Sequence, residues 1–256
     1  MDDQVSAPTK TLQELVIASH FQATIPLGVM DLADWVSHFG DYPVVQQLPQ
    51  APPANVLPAG QQIAFGFGGP ELPRMFLRSP DGRYSVQFQQ DRFAIGWQRI
   101  EPPGTPAAYP GFPAMLQRWD AALDRFLKWT EAKFGFQPVP RLAEVSYLNA
   151  ALLEQNGVSK RISEVFRFVQ PSGRRLNAFN TSWIERLYPN DPPDVQRGTI
   201  TAVVGLSHAP PAIPALAFNY TGLGVVENGQ ESKHIVNQIH DRIREIYQGS
   251  IFPDAV

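Results

Sequence analysis

The stretch Arg74–Arg99, RMFLRSPDGRYSVQFQQDRFAIGWQR, decides how this chain is to be read. Two apolar-rich runs, Arg74–Arg78 and Tyr84–Gln89, are joined by Ser79-Pro80-Asp81-Gly82-Arg83. In that turn the proline presets φ, Asp81 can bond its own backbone and the glycine accepts a left-handed conformation. A third run, Arg92–Arg99, starts after only Gln90 and Asp91 and places Phe93, Ile95 and Trp97 on one face. Three strands joined by connections too short for a crossover helix must pair antiparallel. Gly96 thins the face opposite Trp97, as glycine does where another element approaches a strand.

Similar strand-like runs occupy His20–Ile25, Gln61–Gly68, Leu142–Leu148, Ile162–Val169, Arg175–Phe179, Gly198–Leu206 and Ala215–Tyr220. Three stretches have helical periodicity. Leu27–Phe39 carries Leu32, Val36 and Phe39 on one side and meets a stop at Gly40. Phe112–Phe134 shows a wide stripe of Phe112, Leu116, Trp119, Leu123, Phe126, Leu127 and Phe134, with Gly135 placed to cap it. Asp124 and Lys128 form a favourable i, i+4 pair on it. Ser232–Gln248 repeats Ile235, Ile239, Ile243 and Ile246. The expected fold is therefore α+β: a mainly antiparallel sheet, or two related half-sheets, with two long amphipathic helices packed on one face. Residues 1–17 are expected to be a flexible N-terminal segment and 18–256 a single integrated domain. Its halves would be two β-meander-plus-helix units, 18–135 and 136–256. The similarity of Leu77–Phe88 to Phe168–Phe179, both built around a P-[DS]-G-R turn, suggests a duplication, although such turns are common in hairpins.

Composition narrows the function. The 256 residues include 21 Lys+Arg and 24 Asp+Glu, a formal net charge of -3, which excludes an overall cationic footprint for nucleic acid. Cysteine is absent, so disulfides, thiolate nucleophiles and Cys-based metal sites are excluded. The 25 prolines cluster between periodic segments and punctuate a folded domain. No apolar run is long enough for a membrane helix and the opening MDDQVSAPTK lacks a basic leader, so the expectation is a soluble, cytoplasmic protein that does not engage membranes.

Linear catalytic signatures are missing. Gly66–Gly69 and Gly222–Gly224 do not complete G-x-G-x-x-G, and Gly205-Leu206-Ser207-His208-Ala209 lacks the second glycine of a nucleophile elbow. His234 and His240, six residues apart on one helix, cannot converge on an ion, and Asp120 with Asp124 reads as a solvated face. No metal or other cofactor is expected. A hairpin bearing Arg167, Arg174 and Arg175 offers guanidinium forks to an anion or nucleic acid, while protection of a sheet edge explains the same charges. Asp91 and Arg92 head the Phe93–Trp97 strand: alternation puts Asp91 nominally with the aromatics and Arg92 on the other face.

In order and spacing the chain resembles a sporadically distributed family of uncharacterised bacterial proteins. The resemblance is carried by His20–Ile25, Trp35, Tyr42-Pro43, Gln46-Gln47-Leu48-Pro49 and Pro73–Leu77. Its most specific part is a Q-x-D-R-F-x-x-N-W run, met by Gln89-Gln90-Asp91-Arg92-Phe93-Ala94-Ile95-Gly96-Trp97. A Y-P before the central helix matches Tyr109-Pro110, a Y-x-N strand matches Tyr147-Leu148-Asn149, and Lys233-His234 echoes the family's A-H. Gly96 stands where the pattern has asparagine. The resemblance implies one integrated α+β unit and no established substrate. Asp91, Arg92, Trp97, Tyr147 and Asn149 are the candidate ligand or partner contacts.

With no linear nucleophile, metal or cofactor signature, the leading expectation is a noncatalytic binding or protein-interaction module, a subunit or regulator in a larger bacterial assembly. Its partner would be another protein or a second copy of the chain, with a small-molecule ligand as a further option. One alternative is an enzyme whose site is built from scattered Arg, Asp, Tyr and His. Another is a nucleic-acid-binding protein using the local arginine-rich hairpin.

Overall fold

A computed structural model describes residues 11–51, 54, 56, 72–102, 107–155, 158–159, 161–167, 179–192, 195–209, 213–227 and 231–251. The chain runs β1 (Leu12–Phe21), α1 (Val29–His38), β2 (Val44–Leu48), β3 (Arg74–Arg78), β4 (Tyr84–Gln89), β5 (Arg92–Gln98) and α2 (Phe112–Phe134). It continues through β6 (Pro140–Leu152), the small pair β7 (Glu154–Gln155) and β8 (Val158–Ser159), α3 (Ile162–Val165), β9 (Asn180–Arg186), β10 (Gly198–Ala209), β11 (Ile213–Val225) and α4 (Ser232–Ser250). Nine strands form one sheet in the order β2-β3-β4-β5-β1-β6-β11-β10-β9, and every neighbouring pair is antiparallel. The expected α+β architecture is thus present. Each half places its first strand innermost and its last strand next to it, with the remaining strands outward. Both end in a long helix, and β1 and β6 join the halves.

The two long helices lie on one face. Phe126 of α2 stacks on Phe93 with ring centroids 4.8 Å apart and on Phe21 at 5.5 Å, and meets Phe88 at 5.1 Å. Trp35 of α1 adds a stack on Phe88 at 4.9 Å. The helix ends as its sequence dictates: Gly135 takes φ 76° and donates its N–H to Glu131 O. α4 rests on β6, β11 and β10 through Ile235, Ile239 and Ile243. Gly222 and Gly224 of β11 lie beneath it, and a Cβ on Gly222 would collide with the Ile239 side chain. Glycine here is what lets the helix approach the sheet. The two helices are antiparallel neighbours, tied by Lys233 to Asp120 at 2.8 Å and by Phe112 stacked on His240. No helix among the described residues is long and apolar enough to cross a membrane.

Three expectations are corrected. Residues 12–17 are not flexible, for they form most of the central strand, in which Leu15, Val16, Ile17, Ala18, Ser19 and His20 are all buried. A strand covered on both faces reads as a continuous run without alternation. The strand expected over His20–Ile25 therefore ends at Phe21. Ile162–Val165 is a single helical turn where a strand was expected, stopped when the Phe166 N–H bonds Ile162 O. The expected strand Gln61–Gly68, most of Arg175–Phe179 and nearly all of the second copy of the P-[DS]-G-R hairpin lie outside the described residues.

Candidate functional site

Strand register places a second set of side chains on the face away from the helices. Paired positions run His20↔Arg92, Ala18↔Ala94 and Val16↔Gly96 between β1 and β5, and Ala18↔Glu144 and Val16↔Ser146 between β1 and β6. Farther out, Gln87↔Ala94 and Gln87↔Phe76 bring in β4 and β3. The centre of this face is floored by Val16, Ala18, Ala94 and Gly96, and long polar side chains rise around it. A Cβ at Gly96 would stand 2.5 Å from Ser85 Oγ, so an asparagine here would project into the trough and force Ser85 to turn.

Glu144 organises one end. Its Oε2 lies 2.7 Å from His20 Nε2 and its Oε1 accepts Arg92 Nη2–H at 3.1 Å. His20 is 3% exposed and Arg92 6%. Burial would push the Glu144 carboxyl up, but Arg92 and the His20 bond outweigh it and hold the pKa at about 2. Facing a carboxylate, Nε2–H is the donor of this bond, and Nδ1 is the ring nitrogen turned away from Glu144. The described part of the β2–β3 connection passes over this end. Ala51 exchanges two hydrogen bonds with the Gln89 side chain, at 2.9 and 3.2 Å, and Ala54 O accepts from Arg141 Nη2 at 2.6 Å. Chemically, the trio is a carboxylate that orients an imidazole while an arginine balances its charge.

The five sequence candidates divide between the faces. Asp91 sits in the β4–β5 turn, where its Oδ1 accepts from Gln89 Nε2 at 2.6 Å and its carbonyl accepts the Phe21 N–H. Arg92 points away from the aromatics and meets Glu144, not Tyr147 or Asn149. Trp97 and Tyr147 flank Leu15 on the helix face, where Trp97 packs edge-on to Tyr109 at 5.1 Å. Tyr147 Oη lies 2.6 Å from His240 Nδ1. Burial raises the Tyr147 hydroxyl well above its ordinary range and lowers His240 to about 4, with Arg244 adding to the latter and Asp241 opposing it. The pair is thus a neutral phenol donating to a neutral imidazole. Asn149 is buried on the same face opposite Phe218.

His20 and Glu144 escape the linear reading because they are 124 residues apart and meet only through the β1–β6 register. Of the arginine hairpin, Arg167 Nε donates to Ile251 O at 3.1 Å, while Arg174 and Arg175 lie outside the described residues. Asp120 and Asp124 are engaged by Lys233 and Lys128. Among the described residues, no group of three His, Asp or Glu is placed to hold a metal ion. Scanned against models of known protein families the chain matches none, and comparison with curated proteins gives no match.

Proposed function

We propose that the protein is an enzyme whose site is assembled from scattered residues on the polar face of the sheet. His20 is its general base and acid, Glu144 holds the imidazole, and Arg92 balances the carboxylate. The observation that carries this reading is Glu144 bonded at once to His20 and Arg92 inside the fold. Burying ionisable groups costs several kcal/mol per ion, and apolar side chains of similar volume would stabilise the sheet as well or better. Such a cluster is better explained by chemistry than by stability. The reading carries with it a cytoplasmic, bacterial setting, supported by the absence of cysteine and by the resemblance.

The test compares the protein with its His20→Asn variant on p-nitrophenyl acetate and p-nitrophenyl phosphate. Turnover by the parent, reduced roughly 100-fold or more in a variant that keeps its circular dichroism, is the expected result. Equal rates in the two proteins, or no turnover by the parent, would defeat the reading. A protein-interaction module is the second reading, favoured by exposed apolar residues on β6, β9 and β10 on the same face. Leu148, Val203 and Ile184 are 36%, 40% and 50% exposed, and the first two line a shallow depression of about 290 Å³ with Asn180 and Asn219.

A further inference from the structure

The trough holds more positive charge than the His20–Glu144–Arg92 trio uses. β3 presents Arg74, Phe76 and Arg78 to it, alternating with Met75 and Leu77, which enter the core. Arg74 Nη1 donates to Gln87 Oε1 at 3.3 Å. The buried Nε atoms of Arg74 and Arg78 have no hydrogen-bond partner among the described residues. Arg78 stands over the Phe76 ring, its guanidinium carbon 5.1 Å from the centroid.

The acids nearby do not balance this charge. Glu144 is spent on Arg92 and His20. Glu14 lies within the field of Arg78, Arg74 and Arg92, and its burial raises the carboxyl against them, so this single acid faces three guanidinium groups. Burial lowers the Arg74 guanidinium, and repulsion from Arg92 lowers it further. A cation entering the trough would be repelled, and a neutral group would leave the cationic forks uncompensated. An oxyanion satisfies both the charge and the planar donors.

We propose that the trough binds the oxyanion group of a small acidic ligand, a phosphoryl or carboxylate group, received by the Nε–H donors of Arg74 and Arg78 beside the Gln87 amide. This names the substrate class of the acid–base site proposed above and rests on that reading. Calorimetric titration with inorganic phosphate and with citrate, at an ionic strength held constant with potassium chloride, tests it. Saturable binding of at least one of them is expected, and which one binds tells a phosphoryl from a carboxylate ligand. Arg74→Gln and Arg78→Gln should each weaken it about tenfold or more, whereas Arg125→Gln on the exposed side of α2 should leave it unchanged. Arg74→Lys keeps the charge and loses the fork, so it gives the same readout if the glutamine variant does not fold. No saturable binding above chloride, or binding indifferent to all the trough substitutions, would overturn the proposal. The two readings fail separately: phosphate or citrate bound without any turnover defeats the enzyme, and turnover without anion binding defeats the trough.

Discussion

His240 and Glu144 stand on opposite faces of the sheet, and both make the protein sensitive to acid. His240 titrates near 6.5 when unfolded and near 4 in the fold, where burial disfavours its charge and Nδ1 serves as the acceptor of the Tyr147 hydroxyl. Protons therefore bind the unfolded chain first, and stability falls as pH drops from about 6.5 to about 4, by about 3 kcal/mol for such a shift. Glu144 follows in the next window: its contribution is complete above about 4.5 and is lost as pH falls toward 2. Urea unfolding across this range should show both declines. In His240→Leu the upper one should flatten while the lower remains, with less stability at pH 7 because Tyr147 loses its acceptor. An unchanged slope between pH 6.5 and 4 in that variant would mean that His240 is not held neutral by the fold.

At the scale of elements, α2 carries the first half of the core. Trp119 has no exposed surface and sits mid-stripe, one turn from Leu116 and Leu123. Trp119→Ala should cost about 3–5 kcal/mol in denaturant unfolding. A loss below roughly 1 kcal/mol would show that the helix does not depend on this contact. The element was legible because a long 3.6-residue period, a Pro near its start and a glycine stop all agree, and its ends fall where the pattern puts them. β3 and β4 were equally legible from their turn and β5 to within a residue at its end. β2 was not, because an edge strand with solvent on both sides carries no burial alternation: Val44, Val45, Gln46 and Gln47 are all exposed. β9, the opposite edge, does alternate, but only between exposed and half-buried residues, and its inward positions are the mixed set Thr181, Trp183 and Glu185. The candidate site was less legible than the fold. Arg92 stood out as a charge heading an apolar strand, but its partners Glu144 and His20 follow from pairing between strands, which no local pattern encodes.

The whole molecule turns on the seam between β1 and β6. β1 pairs with β5 from Glu14↔Gln98 to His20↔Arg92 and with β6 from Leu12↔Asn149 to Phe21↔Pro140, so the ladders of both halves end on this one pair of strands. Cutting there would expose an unpaired edge in each half, and would also open the helix-face contacts of Phe112 with His240 and Asp120 with Lys233. It would separate Glu144 from both His20 and Arg92, leaving buried charges on each side without partners. The halves repeat one strand plan, yet neither can satisfy its innermost strand alone. Residues 1–135 and 136–256, produced as separate chains, should therefore show no cooperative thermal transition alone. When mixed they should form a one-to-one complex that recovers a single transition, measured by calorimetry and sedimentation. If either fragment melts cooperatively alone and ignores the other, the sheet is two independent units set side by side, and the His20–Glu144–Arg92 trio is a contact between them. If the complex forms and Glu144→Gln weakens it, the buried trio contributes to joining the halves as well as to the chemistry proposed for it.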